Sequence, residues 1–271
     1  MISPTSHTCN VFAICGDSGS GKTTMASVLA SYLKDSTVVE CDRYHKWERG
    51  DAHWDTYTHL NLEANHIDQM IEDVNNLKLG LDIYRKDYDH ATGKFTEDKK
   101  IKASENIVVC GLHTFYCDKE VFDLKIFMDT DEELKTQWKI FRDTSKRGYS
   151  PKKVKEQIVR RKTDYSKYLQ PLIKDADLVV NFCNEKNTSH VDSVKGIGRK
   201  LKLYIKEPYD SEAIVHDFSK RGVTVFLSES SREGYLQLEL THYKQIDKNY
   251  YYDYIMICIL DMVKTKCRIG N

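Results

Sequence analysis

The sequence predicts an α/β fold, a parallel sheet flanked by helices, followed by a small α/β C-terminal extension. Three observations carry this. Apolar runs of strand length alternate with stretches whose apolar residues recur at helical spacing. A glycine-rich loop joins the first apolar run to the first helical stretch. A polar segment at 184–198 then separates this alternation from a mixed stretch of strands and helices. The expected division is therefore 1–184 and 185–271.

Val11-Phe12-Ala13-Ile14-Cys15 is an apolar run of strand length. Gly16-Asp17-Ser18-Gly19-Ser20-Gly21-Lys22-Thr23-Thr24 follows and fits G-x-x-x-x-G-K-[ST], the phosphate-binding loop of nucleotide-using proteins. Its turns point successive backbone N–H groups inward as an anion-sized nest. Lys22 can reach the β- and γ-phosphates of a nucleotide, and the Thr23 hydroxyl can sit on Mg2+. Residues 25–33 are helical by spacing, and that helix aims its positive dipole end at the phosphates. Strand, loop, helix is the order such a loop requires, so the sheet is expected to be of the P-loop NTPase type.

A second strand at 37–41 ends at Asp42-Arg43-Tyr44-His45, and ligands of open α/β sheets gather at the carboxyl ends of strands. Residues 46–61, polar and aromatic, read as a loop over the site. Residues 62–79 are helical, with Ile67, Met70, Ile71, Val74 and Leu77 on one stripe. Residues 82–95 mix aromatics and charges around a Thr92-Gly93 turn and read as an extended hairpin or flap. Ile107-Val108-Val109-Cys110 is a buried strand running into Gly111-Leu112-His113, and 124–128 is another. A helix over 131–145 has Asp131 as its cap, and Ser150-Pro151 opens a basic helix to about Tyr168. The strand at 178–182 closes the alternation. The extension carries strands at 200–206, 223–227 and 235–240 and helices at 211–220 and 249–264, with no phosphate loop of its own.

Apolar residues make up 40% of the 271 and charged residues 30%, an ordinary soluble balance. With 41 basic and 41 acidic residues the formal charge is zero, so no global field draws the chain to nucleic acid or an anionic membrane. A local basic pocket for a phosphorylated ligand stays open. The longest apolar run, 255–260, is too short to span a bilayer. Residues 1–10 lack the basic and apolar segments of a secretory signal. The eight cysteines, at 9, 15, 41, 110, 117, 183, 258 and 267, form no C-x-x-C pair and read as reduced, buried thiols of a cytoplasmic protein. Cys15 and Cys41 close strands expected to be neighbours, either as a redox-sensitive pair or as two core thiols. Asn187-Thr188-Ser189 matches a glycosylation sequon, which carries no weight without secretion. Oligomeric state, including a homo-oligomer, is left open.

Asp42 could accept a proton from a substrate hydroxyl, or simply cap a turn. His45 and Arg49, close behind it, are ligand candidates or surface residues. Trp138-Lys139-Ile140-Phe141-Arg142-Asp143-Thr144-Ser145-Lys146-Arg147-Gly148 places Lys139 and Arg142 on one helix face. That face could close over a triphosphate and offset developing charge, or be solvated.

Together these segments resemble the phosphoribulokinase/uridine kinase family of P-loop kinases over about residues 10–183. The ordered set is Gly16 to Thr24, Glu40-Cys41-Asp42-Arg43-Tyr44-His45, Leu62-Glu63-Ala64-Asn65-His66-Ile67-Asp68, Ile83-Tyr84 with Tyr88-Asp89-His90-Ala91-Thr92-Gly93, Gly111-Leu112-His113 and the Trp138 segment. The Cys-Asp-x-Tyr-His turn and Gly-Leu-His look more like the phosphoribulokinase branch. The resemblance implies a kinase domain at 1–184 that uses ATP and Mg2+ to phosphorylate the C1 hydroxyl of ribulose 5-phosphate. Asp42 would be the general base and, with Thr23, a metal ligand. Lys22 and Arg142, assisted by Lys139, would stabilise the transferring phosphoryl group. His45, Arg49, His113 and Arg147 would lie on the substrate side. Residues 16–24 would hold the nucleotide. Arginines suit a phosphorylated acceptor, whereas a nucleoside, the alternative small-molecule substrate, needs no such grip.

One position departs from the pattern. The family has Glu before Gly-Leu-His, and this chain has Cys110. Magnesium prefers hard oxygen donors. Asp42 and Thr23 could suffice, Asp17 or Asp89 could fill the gap, or the chain could bind nucleotide with little catalysis, as a pseudokinase.

Overall fold

The computed structural model describes residues 9–184, 199–209, 211–221, 223–230, 232–240 and 249–269. The linker expected at 184–198 lies, past residue 184, outside the described residues. So do the sequon and the side chain of Cys267.

Five parallel strands form the body of the sheet: β1 Asn10–Gly16, β2 Ser36–Glu40, β7 Asn106–Gly111, β8 Leu124–Met128 and β9 Leu178–Asn184. Their apolar runs are continuous because both faces are covered. Phe12, Ile14, Val108 and Cys110 point into one core, and Val11, Ala13, Cys15, Ile107 and Val109 into the other. The first core is closed by α1 Lys22–Tyr32 through Met25 and Leu29, the second by α2 Ile67–Lys78 through Met70, Val74 and Leu77.

The extension continues the same sheet. β10 Arg199–Lys206 pairs antiparallel with β9, β12 Tyr235–Leu240 with β10, and β11 Val225–Glu229 with β12. The complete order is β11-β12-β10-β9-β8-β1-β7-β2. β10 is therefore an interior strand, and Leu203, Tyr204 and Ile205 are all buried where a half-exposed alternation was expected. Helices α6 Ser211–Lys220 and α7 Asn249–Ile269 pack on the α1 face, contributing Ile214, Phe218, Ile255, Cys258 and Met262 to its core. Tyr32 on α1 donates to Asp253 on α7 at 2.6 Å.

Several boundaries shift for local reasons. The helix expected from residue 62 begins only at Ile67, because Asn65 is held extended in a bridge to His45, and 62–64 form a separate 3₁₀ turn. The flap at 82–95 is two small antiparallel pairs, β3 Ile83–Arg85 with β6 Lys99–Ile101 and β4 Tyr88–Asp89 with β5 Lys94–Phe95. Helix α3 Glu132–Arg147 runs on to Gly148, whose N–H caps the carbonyl of Asp143. Asp131 holds the cap position but its side chain does not cap. Asp131 Oδ1 accepts from Asn181 instead. The Ser150 side chain does cap α4 Pro151–Arg160, with proline in its first turn as expected. The basic helix then continues irregularly through α5 Lys162–Asp164, a π-helical turn at Tyr165–Leu169 and a 3₁₀ stretch at Gln170–Asp175.

Cys15 and Cys41 do not close neighbouring strands, because β7 lies between β1 and β2. Cys15 donates to the carbonyl of Leu112, and the seven described cysteines are free and buried. The two thiols are core residues, not a poised pair.

Candidate active site

A cavity of about 690 Å³ opens at the carboxyl ends of the parallel strands. Its floor is the phosphate loop. β1 ends at Gly16, where a side chain would place its Cβ 2.6 Å from the carbonyl of Met128, so only glycine lets the chain turn there. The loop then passes to the N-terminus of α1, and Lys22 folds back to donate to the Asp17 carbonyl at 2.8 Å. Thr130 on the neighbouring chain segment ties the Ser20 carbonyl down at 2.9 Å.

Helix α3 forms one wall. Arg142 donates to Ser18 Oγ at 3.0 Å, so the helix face touches the loop directly. Asp143, 1% exposed, anchors that face. Its carboxylate receives Lys139 at 2.7 Å and Arg142 at 2.8 Å, with Arg147 at 3.4 Å. Burial opposes its charge, but these cations prevail and hold its carboxyl below the ordinary range. Burial, reinforced by Arg161, brings the Lys139 ammonium down to about 8.

Asp42 sits in a 3₁₀ turn, Cys41–Tyr44, directly past β2. Burial works against its ionisation, yet His45, His90 and Lys22 around it keep the carboxyl far below its usual value. His45 is 5% exposed. Asn65 spends its amide N–H groups on the carbonyls of His59 and Asn61, so its Oδ1 accepts from His45 Nδ1 at 2.8 Å. His45 Nε2 is left 3.6 Å from Asp42.

The hairpin β4–β5 supplies another wall through Tyr88 and His90. His90 at its tip lies 3.2 Å from Asp42 Oδ2 and 3.8 Å from Glu40 Oε2. Arg147 donates to its other nitrogen at 3.1 Å. Arg49 lines the cavity, but its guanidinium is committed to the carbonyls of His90 and Ala91, and it lies over the Tyr149 ring. In this arrangement Arg49 clamps the hairpin that carries His90.

The structure thus brings Ser18, Lys22, Thr23, Asp42, His45, Arg49, Lys139, Arg142 and Arg147 to one cavity. It does not bring His113 there. His113 is 3% exposed, donates Nε2 to the carbonyl of Leu60 at 2.9 Å, and is pushed down to about 4 by burial. Its register one residue past Leu112, which does line the cavity, turns it into the protein. Neither proposed substitute for the missing carboxylate is available. Asp17 is engaged by Arg161 at 3.0 Å and Lys135 at 3.2 Å, and Asp89 accepts from Thr92 and Ala91 within its own hairpin turn.

Sequence reasoning missed Glu40, His90, Asp143 and Arg161 as site residues. Each of the first three stands inside a segment read as significant, but only the fold shows which way its side chain points.

The donor chemistry fits magnesium. Thr23 and Asp42 offer hard oxygens on the cavity wall, and burial pushes the Cys110 thiol up to about 12, leaving it neutral. Among the described residues no three His, Cys, Asp or Glu side chains could hold a metal alone. Magnesium is usually held by one or two carboxylates together with substrate phosphates.

Residues 11–189 match the model of the Phosphoribulokinase / Uridine kinase family. The chain is 32% identical to the chloroplastic phosphoribulokinase of Chlamydomonas reinhardtii over 218 residues, 73% of this chain and 57% of that one. It is 33% identical to the phosphoribulokinase of Synechocystis over 174 residues, 63% and 52% of the two chains. Identity to uridine-cytidine kinase A of Dictyostelium discoideum is 25% over 203 residues, 73% of this chain and 40% of that one. The alignments span about half the length of these phosphoribulokinases. The fold matches the solved phosphoribulokinase from Rhodobacter spheroides with a TM-score of 0.69 at 18% identity, covering 97% of this chain and all of that one. With its phosphate loop, its Asp42 turn and its cationic α3 face in the order the family requires, this chain belongs to the phosphoribulokinase/uridine kinase family.

Proposed function

We propose that the protein is an ATP-dependent kinase that phosphorylates a hydroxyl of a pentose phosphate, converting ribulose 5-phosphate to ribulose 1,5-bisphosphate. One observation carries the reading: the phosphate loop and Asp42 share a cavity whose remaining wall is cationic. Eight lysines and arginines line it against six carboxylates, and Asp143 and Asp42 are already matched by cations or histidines. The remaining excess includes Lys153 and Arg160, which line the cavity from α4. A phosphorylated acceptor answers that charge; a neutral nucleoside does not. Gln157 is the one primary amide on the wall, which gives a nucleobase edge little to pair with.

The residues divide the work. The loop N–H groups and Lys22 hold the β- and γ-phosphates. Asp42 and Thr23 would hold magnesium, which would supply charge neutralisation for the phosphates. The C1 hydroxyl oxygen attacks the γ-phosphorus, its proton passes to an Asp42 carboxylate oxygen, and the bond to the β-phosphate oxygen breaks to leave ADP. Asp42 is a weak base, which suffices where the transition state is loose and orientation matters more than proton affinity. Arg142 and Lys139 face the charge that builds on the transferring group. Buried free thiols fit a reducing compartment, and the cytoplasm is the proposed location. Among the described residues no helix is long and apolar enough to cross a membrane.

The test is ADP release from Mg-ATP, with ribulose 5-phosphate, uridine and cytidine supplied in parallel. Stimulation by ribulose 5-phosphate alone is expected. Stimulation by a nucleoside would move the protein to the other branch, and none by any of the three would refute the kinase assignment made here.

A further inference from the structure

The departure at Cys110 has a counterpart one strand away. β2 and β7 pair in parallel with Glu40 directly opposite Cys110. Register partners in a sheet project to the same face, roughly 4.8 Å apart. Cys110 points to the α1 face beside Lys22, and Glu40 lines the cavity there with Lys22, Thr23 and Asp42. A second carboxylate is therefore present at the level of the missing one, moved across by a single strand.

Its surroundings call for a cation. The side chain is partly buried and lines the cavity beside the Asp42 carboxylate. Among the described residues no lysine or arginine lies within ion-pair distance of it; the only partner that near is His90 at 3.8 Å. Arg43, next along the chain, donates its Nε to the Glu40 backbone carbonyl and its Nη2 to Asp87. Two carboxylates thus converge on one imidazole nitrogen at the mouth of a phosphate loop, and His90 alone cannot neutralise both.

We propose that Glu40 supplies, from β2, the carboxylate absent at position 110 on β7, and that it shares with Asp42 and Thr23 the divalent cation that accompanies the nucleotide. This rests on the ATP-site reading above but not on the identity of the acceptor. Three hard oxygen donors plus phosphate oxygens satisfy magnesium without any contribution from the thiol. On this account the Cys110 side chain fills the space that a family glutamate would occupy, and a glutamate added there would crowd Glu40.

The test uses Mn2+ as the probe, read by electron paramagnetic resonance on the complex of the full chain with ADP, with no acceptor present. Four proteins are compared: wild type, Glu40→Gln, Cys110→Glu and the exchange variant Glu40→Cys/Cys110→Glu. Metal-free ADP affinity, measured by calorimetry in EDTA, reports whether each is folded at the nucleotide site. Glu40→Gln is expected to weaken Mn2+ at least about tenfold in the ADP complex while metal-free ADP binding stays within about threefold. Cys110→Glu alone gains nothing, and the exchange variant recovers Mn2+ affinity to within about threefold of wild type. Wild-type Mn2+ affinity in Glu40→Gln, or an exchange variant no better than Glu40→Gln, overturns the proposal. Should Glu40→Gln lose metal-free ADP binding, Glu40→Asp replaces it and must show the same selective loss. A wild-type chain that binds no ADP at all would instead remove the ATP-site reading, and this inference with it.

Discussion

Replacing Asp143 with asparagine removes the one buried charge around which the cationic wall is organised. Lys139 is 2.7 Å and Arg142 2.8 Å from this carboxylate, which is 1% exposed. Asparagine keeps the shape but turns an NH2 toward donors. Removing one partner of a buried ion pair costs about 3–5 kcal/mol. Lys139 has little water to turn to, at 8% side-chain exposure, whereas Arg142 and Arg147, at 30% and 21%, recover part of their hydration. We therefore expect a loss of about 2–3 kcal/mol, which moves a urea midpoint down by about 1 M for a slope of about 2–3 kcal/mol/M. The sign of the pH dependence follows from the depressed carboxyl. Its stabilisation is fully present above the unfolded value near 3.8 and is lost as pH falls through the lower folded value. The two unfolding curves should then converge in acid. Catalysis should fall too, by about 10²-fold in kcat/KM for Mg-ATP, because Arg142 and Lys139 lose their anchor. A midpoint at pH 7 within about 0.2 M of wild type would refute this account of the wall.

Other predictions follow from single contacts. Asp42→Asn should leave metal-free ATP binding within about threefold while cutting turnover by about 10²-fold or more, and unchanged turnover would remove Asp42 from the base role. Lys139, brought down to about 8, should give kcat/KM an alkaline limb near that pH as its charge is lost, and Lys139→Arg should carry the limb to higher pH. A limb that stays near pH 8 in the arginine variant would assign it elsewhere. At Gly111 a Cβ would come 2.4 Å from Cys41 Cβ and 2.9 Å from its Sγ, so Gly111→Ala should cost about 1–3 kcal/mol. Thermal unfolding checks this, and an unchanged midpoint would show that β7 and β2 separate without cost.

The parallel strands, the phosphate loop and the Asp42 turn were legible because each is written locally, in continuous apolar runs and in a loop whose glycines and lysine have fixed spacing. The cationic face of α3 was legible for the same reason, since Lys139 and Arg142 share a helix face by arithmetic. What required the fold was direction across the sheet. His113 follows Leu112 by one residue, and the turn after β7 sends one side chain to the cavity and the other to the Leu60 carbonyl. Cys15 and Cys41 looked like neighbours because sequence order was read as strand order, and β7 inserts between them. Glu40 was invisible as a partner for Cys110 because strand register joins residues seventy positions apart, which no local pattern encodes. Arg49 was recognisable as a site residue, but its role in clamping the hairpin depends on where the His90 and Ala91 carbonyls come to rest.

The packing of α7 on α1 has a consequence for how the molecule is made. Met25 and Leu29 of the helix that follows the phosphate loop share their core with Ile255, Cys258 and Met262, about 230 residues further along. A ribosome adding about 5–20 residues per second emits the second group roughly 10 to 50 s after the first. During that interval the loop and its helix are out but one apolar side of the helix has no cover. The nascent chain then carries an exposed greasy stripe beside an anion-binding loop, and nucleotide or a holding chaperone is best placed to protect it at that stage. The helix beside the phosphate loop is thus sealed only by residues more than two hundred positions further along.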